Sequence, residues 1–263
     1  MEYTLLSREI QGRVGMITLT NPPKNAFSKR LLVEMLSVFD EFEQDDTVRT
    51  IYLRSTGEHF SQGADGDDIK KALAGQAEDI KESFSELGGR LTERVDLCPK
   101  ATLVAAKGRC IGGSTAIFNA FDIRIVGESF VIKDGDIYYG TVGSWGMSSL
   151  RLPIWIGRNK IMDYMFLNEG FTARQAFELG LVSKVVADGH LDEVALLTAH
   201  KMAVAAPLAV RHFKECVRAA VYGSFDAARE TELRVAELIM KTEDSKNGLA
   251  AVVRGEQAEF FGR

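Results

Sequence analysis

Short apolar runs alternate with helical patterns over the first two thirds of this chain, and that alternation constrains the fold more than any other feature. Residues 3–10 and 14–19 read as strands around a Gln11-Gly12-Arg13 turn. Ser28 stands as an N-cap ahead of Leu31, Leu32, Met35, Leu36, Phe39 and Phe42, which recur at helical spacing. Residues 50–54 form the next strand, 55–66 a polar loop, and 67–97 a helix-favouring region closed by Pro99. Residues 102–106 read as a buried strand, 108–113 as a turn, 114–120 as a small-residue helix, and 123–126 and 129–132 as two more strands. Residues 133–146 make a connection rich in Gly and Asp. From Gly157 onward helices are expected throughout, except for a strand at 183–186, and Pro207 suits a helix start. Such alternation predicts an α/β core with parallel pairing and right-handed crossovers, followed by a helical C-terminal part.

Composition narrows the function. With 32 Lys and Arg against 37 Asp and Glu, the net charge of −5 disfavours a general nucleic-acid binder, which needs clustered cations. Cys98, Cys110 and Cys216 form neither a disulfide framework nor a CxxC motif and suit a reducing compartment. The N-terminal residues have no basic start, apolar segment and cleavage site, so no signal peptide is expected. The longest apolar stretch, 101–121, is broken by Lys107 and Arg109 and is too short to span a bilayer. These features predict a cytoplasmic protein with neither nucleic-acid nor membrane partners. No repeat, low-complexity segment or linker is visible.

Two glycine-containing loops carry the chemistry. HFSQGAD (59–65) and KGRCIGGS (107–114) each follow a predicted strand and lead towards a helix. Glycine lets a ligand approach the main chain, and a helix starting near Gly113 would aim N–H groups and its positive dipole end at that ligand. Two such loops side by side would make an oxyanion hole, each donor being worth about 2.7–4 kcal/mol of transition-state stabilisation. A Gly-Gly pair before a helix also serves ordinary tight turns. Neither loop matches GxGxxG or the P-loop, which weakens nucleotide readings.

Taken in order, these segments resemble the crotonase superfamily, the enoyl-CoA hydratase/isomerase family. TNPPKNAF (20–27) resembles its N-terminal loop, FSQGAD (60–65) its first oxyanion loop, and residues 106–114 its second. FDIRI (121–125), LRLPIWIG (150–157), TARQAFELGLV (172–182) and NGLAA (247–251) extend the match over nearly the whole chain. The resemblance implies a spiral of ββα units over 1–195 that carries an acyl-CoA site. A C-terminal helical region, 196–263, would serve trimerisation, giving a homotrimer or a dimer of trimers. It further implies an acyl-CoA substrate, with coenzyme A part of the substrate and no other cofactor. The oxyanion donors would be the backbone N–H groups of Ala64 and Gly113. Substrate contacts would come from Lys24, Ala26, Gly63, Asp65, Ile69, Gly112, Tyr138, Ser144 and Trp145. This chemistry polarises a carbonyl and moves a proton, and needs no metal.

The chain departs from the hydratase pattern at its acids. The family's first glutamate falls on Ala116, which cannot move a proton, and its second on Asp136; a family aspartate position falls on Ser144. Asp136 starts near the carboxylate reference of about 3.9, and burial beside Ile137, Tyr138, Tyr139 or Trp145 would raise it. The stretch 133–136 also reads as a solvated turn with Asp136 an ordinary turn acid. One carboxylate suits moving a double bond better than adding water, where two carboxylates hold and split the water. An isomerase is therefore favoured over a standard hydratase. The alternatives are a decarboxylase, a C–C hydrolase, a specialised cyclic-enoyl-CoA hydratase, or a non-catalytic acyl-CoA-binding relative.

Other polar residues are weaker candidates. His59 is placed to face an acyl pocket, or to pack at the surface. The four histidines have no zinc-ligand spacing, and no GxSxG elbow is present. Asp65, Asp67 and Asp68 read as a solvated helix start. The family's Lys-Arg pair for CoA phosphates is missing from VRGEQ (253–257), leaving Arg254, Lys24 and Lys29 as candidates.

Overall fold

A computed structural model describes residues 2–75 and 80–263. Its main sheet grows outward from two strands buried at every residue, β2 (Val14–Leu19) and β4 (Ala101–Ala106). β1 (Leu6–Gln11) pairs antiparallel with β2, and β3 (Thr50–Ser55) lies parallel between β2 and β4. β6 (Ile123–Gly127) and β9 (Lys184–Val186) continue the parallel order, giving β1-β2-β3-β4-β6-β9. A second sheet, β5-β7-β8, joins β5 (Arg109–Ile111), β7 (Val131–Lys133) and β8 (Phe171–Thr172).

β2 and β4 are buried throughout because both faces of the sheet are covered there, whereas the edge strand β1 is mostly exposed. Successive side chains point to opposite faces. Ile17, Leu19, Ile51, Leu53, Val104 and Ala106 therefore join one core, shared with α1 (Lys29–Gln44), α3 (Phe84–Asp96) and α4 (Gly113–Ala120). Val14, Met16, Tyr52, Leu103, Ala105 and Ile125 join the other, sealed by Leu191, Ala195 and Ala199 of α8 (Leu191–Met202). Ser28 Oγ accepts the Leu31 N–H and starts α1, as its spacing predicts. α5 (Leu152–Ile156), α6 (Arg158–Phe166) and α7 (Ala173–Glu178) precede β9. α9 (Pro207–Tyr222), with Pro207 in its first turn, leads into α10 (Phe225–Met240) and α11 (Glu243–Arg254). Lys214 on α9 donates to Asp122, whose carboxylate also takes the Thr102 N–H and Oγ1–H, so α9 is bolted to the end of β4.

Four expectations are corrected. The N-terminal strand starts at Leu6, because the Thr4 and Leu5 N–H groups bond the buried Glu34 carboxylate instead of a neighbouring strand. The helical region 67–97 divides into α2 (Gly66–Leu73) and α3, each with its own cap; residues 76–79 of that expectation lie outside the described residues. The turn at 108–113 contains β5, and β8 adds a strand to the mostly helical last third. Among the described residues, no single helix is long and apolar enough to cross a membrane.

One buried side chain fixes the loop that approaches the site. Asn25 sits at φ 45° with no exposure. Its Nδ2 donates to the Thr56 and His59 carbonyls at 2.8 and 2.9 Å, and its Oδ1 accepts the Asn21 N–H at 3.1 Å. Asn25→Ala removes all three bonds and puts a Cβ residue with no local hydrogen bond in the left-handed region. It is expected to lower stability by about 2–4 kcal/mol, read as a fall in the urea midpoint.

Candidate active site

The two glycine loops are stitched together by backbone pairing. Ser61 bridges Cys110, its N–H donating to the Arg109 carbonyl at 2.9 Å and its C=O accepting the Ile111 N–H at 3.1 Å. His59 Nδ1 accepts the Arg109 N–H at 3.3 Å, so this histidine latches the loops rather than facing a substrate. On its other edge the first loop pairs with Phe27, which donates to the Gly63 carbonyl and accepts from the Asp65 N–H, both at 2.9 Å. In a parallel bridge the residue between those two partners points its own amide the opposite way. The Ala64 N–H therefore faces away from Phe27, and it has no acceptor among the described residues.

The second loop turns at Gly112, whose N–H donates to the Lys133 carbonyl at 2.9 Å and whose φ of 58° caps α4 without a side chain. The Gly113 N–H heads the helix, likewise with no acceptor among the described residues. The turns lie against each other: a Cβ built on Gly112 would be 3.9 Å from Gly63 Cα, and one on Gly63, at φ 96°, would be 3.4 Å from the Ile111 carbonyl oxygen. Both open N–H groups thus belong to adjoining turns, one carrying a helix dipole.

The carboxylate arrives on the strand that holds Gly112. β7 ends at Lys133; Asp134 follows, buried, and Asp136 opens a single 3-10 turn. Asp136 is half-buried, and its carboxyl is pushed up to about 6, first by burial and then by the negative charge of Asp134. Asp134 Oδ1 accepts the Asp136 N–H at 3.3 Å, while Oδ2 accepts from Ser148 Oγ. Sequence reasoning missed Asp134 as a functional group; the Asp-Gly-Asp spacing was visible, but its burial was not. Ala116 lies buried in α4, one turn beyond Gly113.

The remaining predicted residues divide. Lys24 is exposed beside the first loop, its carbonyl accepting the Gln62 N–H at 2.9 Å, and Ala26 is buried next to Phe27. Ile69 is exposed on α2. Trp145 is buried against the second loop. Three side chains are engaged by the protein itself. Asp65 caps α2 through the Asp67 and Asp68 N–H groups at 2.9 and 3.2 Å, Tyr138 donates to the Phe166 carbonyl, and Ser144 Oγ bonds Ser85 Oγ at 2.9 Å. Arg254, in the last turn of α11, pairs with Glu256. A cavity of about 520 Å³ elsewhere, lined by Glu43, Asp96, Cys98, Lys214 and Arg218, contains none of these groups.

Residues 9–263 match the family model for enoyl-CoA hydratase/isomerase. The chain belongs to that family. It is 33% identical over 263 residues to a "Probable enoyl-CoA hydratase" of Rhizobium meliloti (strain 1021), covering 99% of each chain. It is also 25% identical over 264 residues to the 1,2-epoxyphenylacetyl-CoA isomerase of Escherichia coli (strain K12), covering 100% of each. The crystal structure of an enoyl-CoA hydratase from Bacillus anthracis superposes with a TM-score of 0.91 at 26% identity, over 99% of this chain and 100% of that one. The crotonase-like α/β fold with C-terminal helices, expected from the loop motifs, is the fold of this chain.

Asp134→Asn removes the like charge while keeping an acceptor for the Asp136 N–H. The Asp136 carboxyl is then expected to titrate at lower pH, towards the ordinary carboxylate range, as read by carboxyl carbon-13 chemical shifts.

Proposed function

We propose that this family member acts on an acyl-CoA thioester through an enolate, and that it relocates a double bond rather than adding water. The Ala64 and Gly113 N–H groups take the thioester oxygen, and Asp136 carries the proton. The observation that carries this reading is a single half-buried carboxylate poised at about 6, beside a turn with an open helix N–H. Charge growing on the oxygen is stabilised by donors that need not reorganise, which acidifies the neighbouring C–H.

The balance of the step is simple. Asp136 as carboxylate takes a proton from the carbon between the carbonyl and the double bond. The electron pair delocalises onto the thioester oxygen as a dienolate. Asp136 as acid returns the proton to the far end of the former double bond, which shifts into conjugation. No water is consumed, so the methyl of Ala116 costs this reaction nothing, whereas hydration would leave water activation to Asp136 alone. We assign Lys24, exposed beside the first loop, to a CoA phosphate. Exposed apolar side chains on α9–α11, among them Phe213, Phe225 and Val253 at 69, 80 and 88% exposure, support a homotrimer or a dimer of trimers. Unpaired thiols at all three cysteines suit the cytoplasm.

Substitution and isotope labelling test the reading. Asp136→Asn should lower turnover of a non-conjugated enoyl-CoA by about 10²–10⁴-fold, and products formed in ¹⁸O-water should carry no label. Loss of activity with ¹⁸O incorporated by the wild type would establish hydration instead. Binding without turnover by the wild type would establish a non-catalytic binder.

The carboxylate is the active form, so wild-type kcat/KM should rise with pH up to about 6 and then level off. Because the folded pKa lies above the ordinary value, the folded state carries the full burden of the buried anion only above about 6. Asp136→Asn should therefore raise the melting temperature relative to wild type, by a margin that opens as pH rises through 4–6. In ultracentrifugation the mass should be three or six times 29.0 kDa.

A further inference from the structure

We propose that Trp145 is the wall that limits the acyl group, restricting this enzyme to short-chain thioesters. This rests on the thioester reading above and adds the substrate class. The indole is only 6% exposed although residues 138–142 and Ser144 before it are exposed. It lies flat on the backbone of α3: a Cβ built on Gly88 would fall 1.8 Å from Trp145 Cε2 and 2.2 Å from Cζ2, inside the ring's own volume. Glycine within a helix is less stable than alanine. At Gly88 that cost admits the indole.

The far edge of the ring reaches the oxyanion turn. A Cβ on Gly113 would lie 2.7 Å from both Cη2 and Cζ3 of Trp145, which puts those atoms within about 5 Å of the Gly113 nitrogen. Phe27 and Phe84 close the sides, with ring centroids 6.4 and 5.0 Å away. The same segment is tied down on both flanks. A Cβ on Gly143 would lie 3.3 Å from Asp136 Oδ2, and Ser144 Oγ is bonded to Ser85 of α3. The indole therefore stands between the reacting acid, the carbonyl-binding turn and α3. A thioester oxygen on Gly113 sets the acyl carbons next to it, and a long chain has to displace it.

The test is a chain-length series. The wild type should favour a four-carbon over a twelve-carbon enoyl-CoA by about tenfold or more in kcat/KM, and Trp145→Ala should reduce that preference by about tenfold or more. Trp145→Phe keeps an aromatic filler and should fall between them, which guards against simple misfolding of the alanine variant. Trp145 and Trp155 are the only tryptophans. In Trp155→Phe, indole emission thus reports Trp145, and saturable changes should appear at lower butyryl-CoA than dodecanoyl-CoA concentration. Equal affinity for both esters in the wild type, or an unchanged length preference in Trp145→Ala, overturns the proposal. If the saturated esters bind with the expected order but no enoyl ester is turned over, the wall stands and the isomerase reading falls.

Discussion

The site depends on a few main-chain hydrogen bonds between segments far apart in sequence. Ser61 pairs with β5, Phe27 pairs with the Gly63–Asp65 stretch, and Gly112 pairs with Lys133. Each bond pairs main-chain groups that would otherwise need water or another partner. Its by-product is directional. Because neighbouring amides alternate along an extended chain, satisfying Gly63 and Asp65 on Phe27 leaves Ala64 turned outward. Starting a helix at Gly113 leaves that N–H open as well. The donors proposed for the thioester oxygen arise from backbone geometry, and this explains why that proposal falls on residues as bland as alanine and glycine.

Side chains then tune what the backbone provides. Asp134 is held by Ser148 and sits under Asp136, and its charge adds to burial in lifting the acid towards neutrality. Ala116 leaves the neighbouring helix without an acid at that position, and Trp145 packs on Gly113 at the start of the same helix. In the proposed reading, acid strength and the limit on the acyl group belong to different residues of one connection, 134–145, and neither belongs to the donor turns.

Much of the fold was legible because its signals are local. The Ser28 cap, the 3.6-residue recurrence through Phe42 and the apolar runs of β2, β3 and β4 state their own structure. β5 and β8 were not legible. They are three and two residues long and exist only through partners far away in the chain. Residues 3–5 carry strand-like composition, yet Glu34, about thirty positions on, claims the Thr4 and Leu5 amides. At the site, the Gly-rich turns and Asp136 were visible as motif positions, and the turns' contact appeared only in three dimensions. The stretch 133–136 read equally as a solvated turn, because the burial of Asp134 is a tertiary property. Asp65, Tyr138 and Ser144 were placed as substrate contacts, but each side chain already bonds within the protein, to the Asp67 N–H, the Phe166 carbonyl and Ser85 Oγ.

The bolt at Asp122 ties distant parts of the molecule in series. α4 begins with the amide proposed to hold the oxyanion and ends beside Asp122, which Lys214 grips from α9. An eight-residue helix is a stiff rod of about 12 Å. One end of that rod is thus anchored, through Asp122, to the C-terminal helices, and the amide at its other end inherits a fixed position from them.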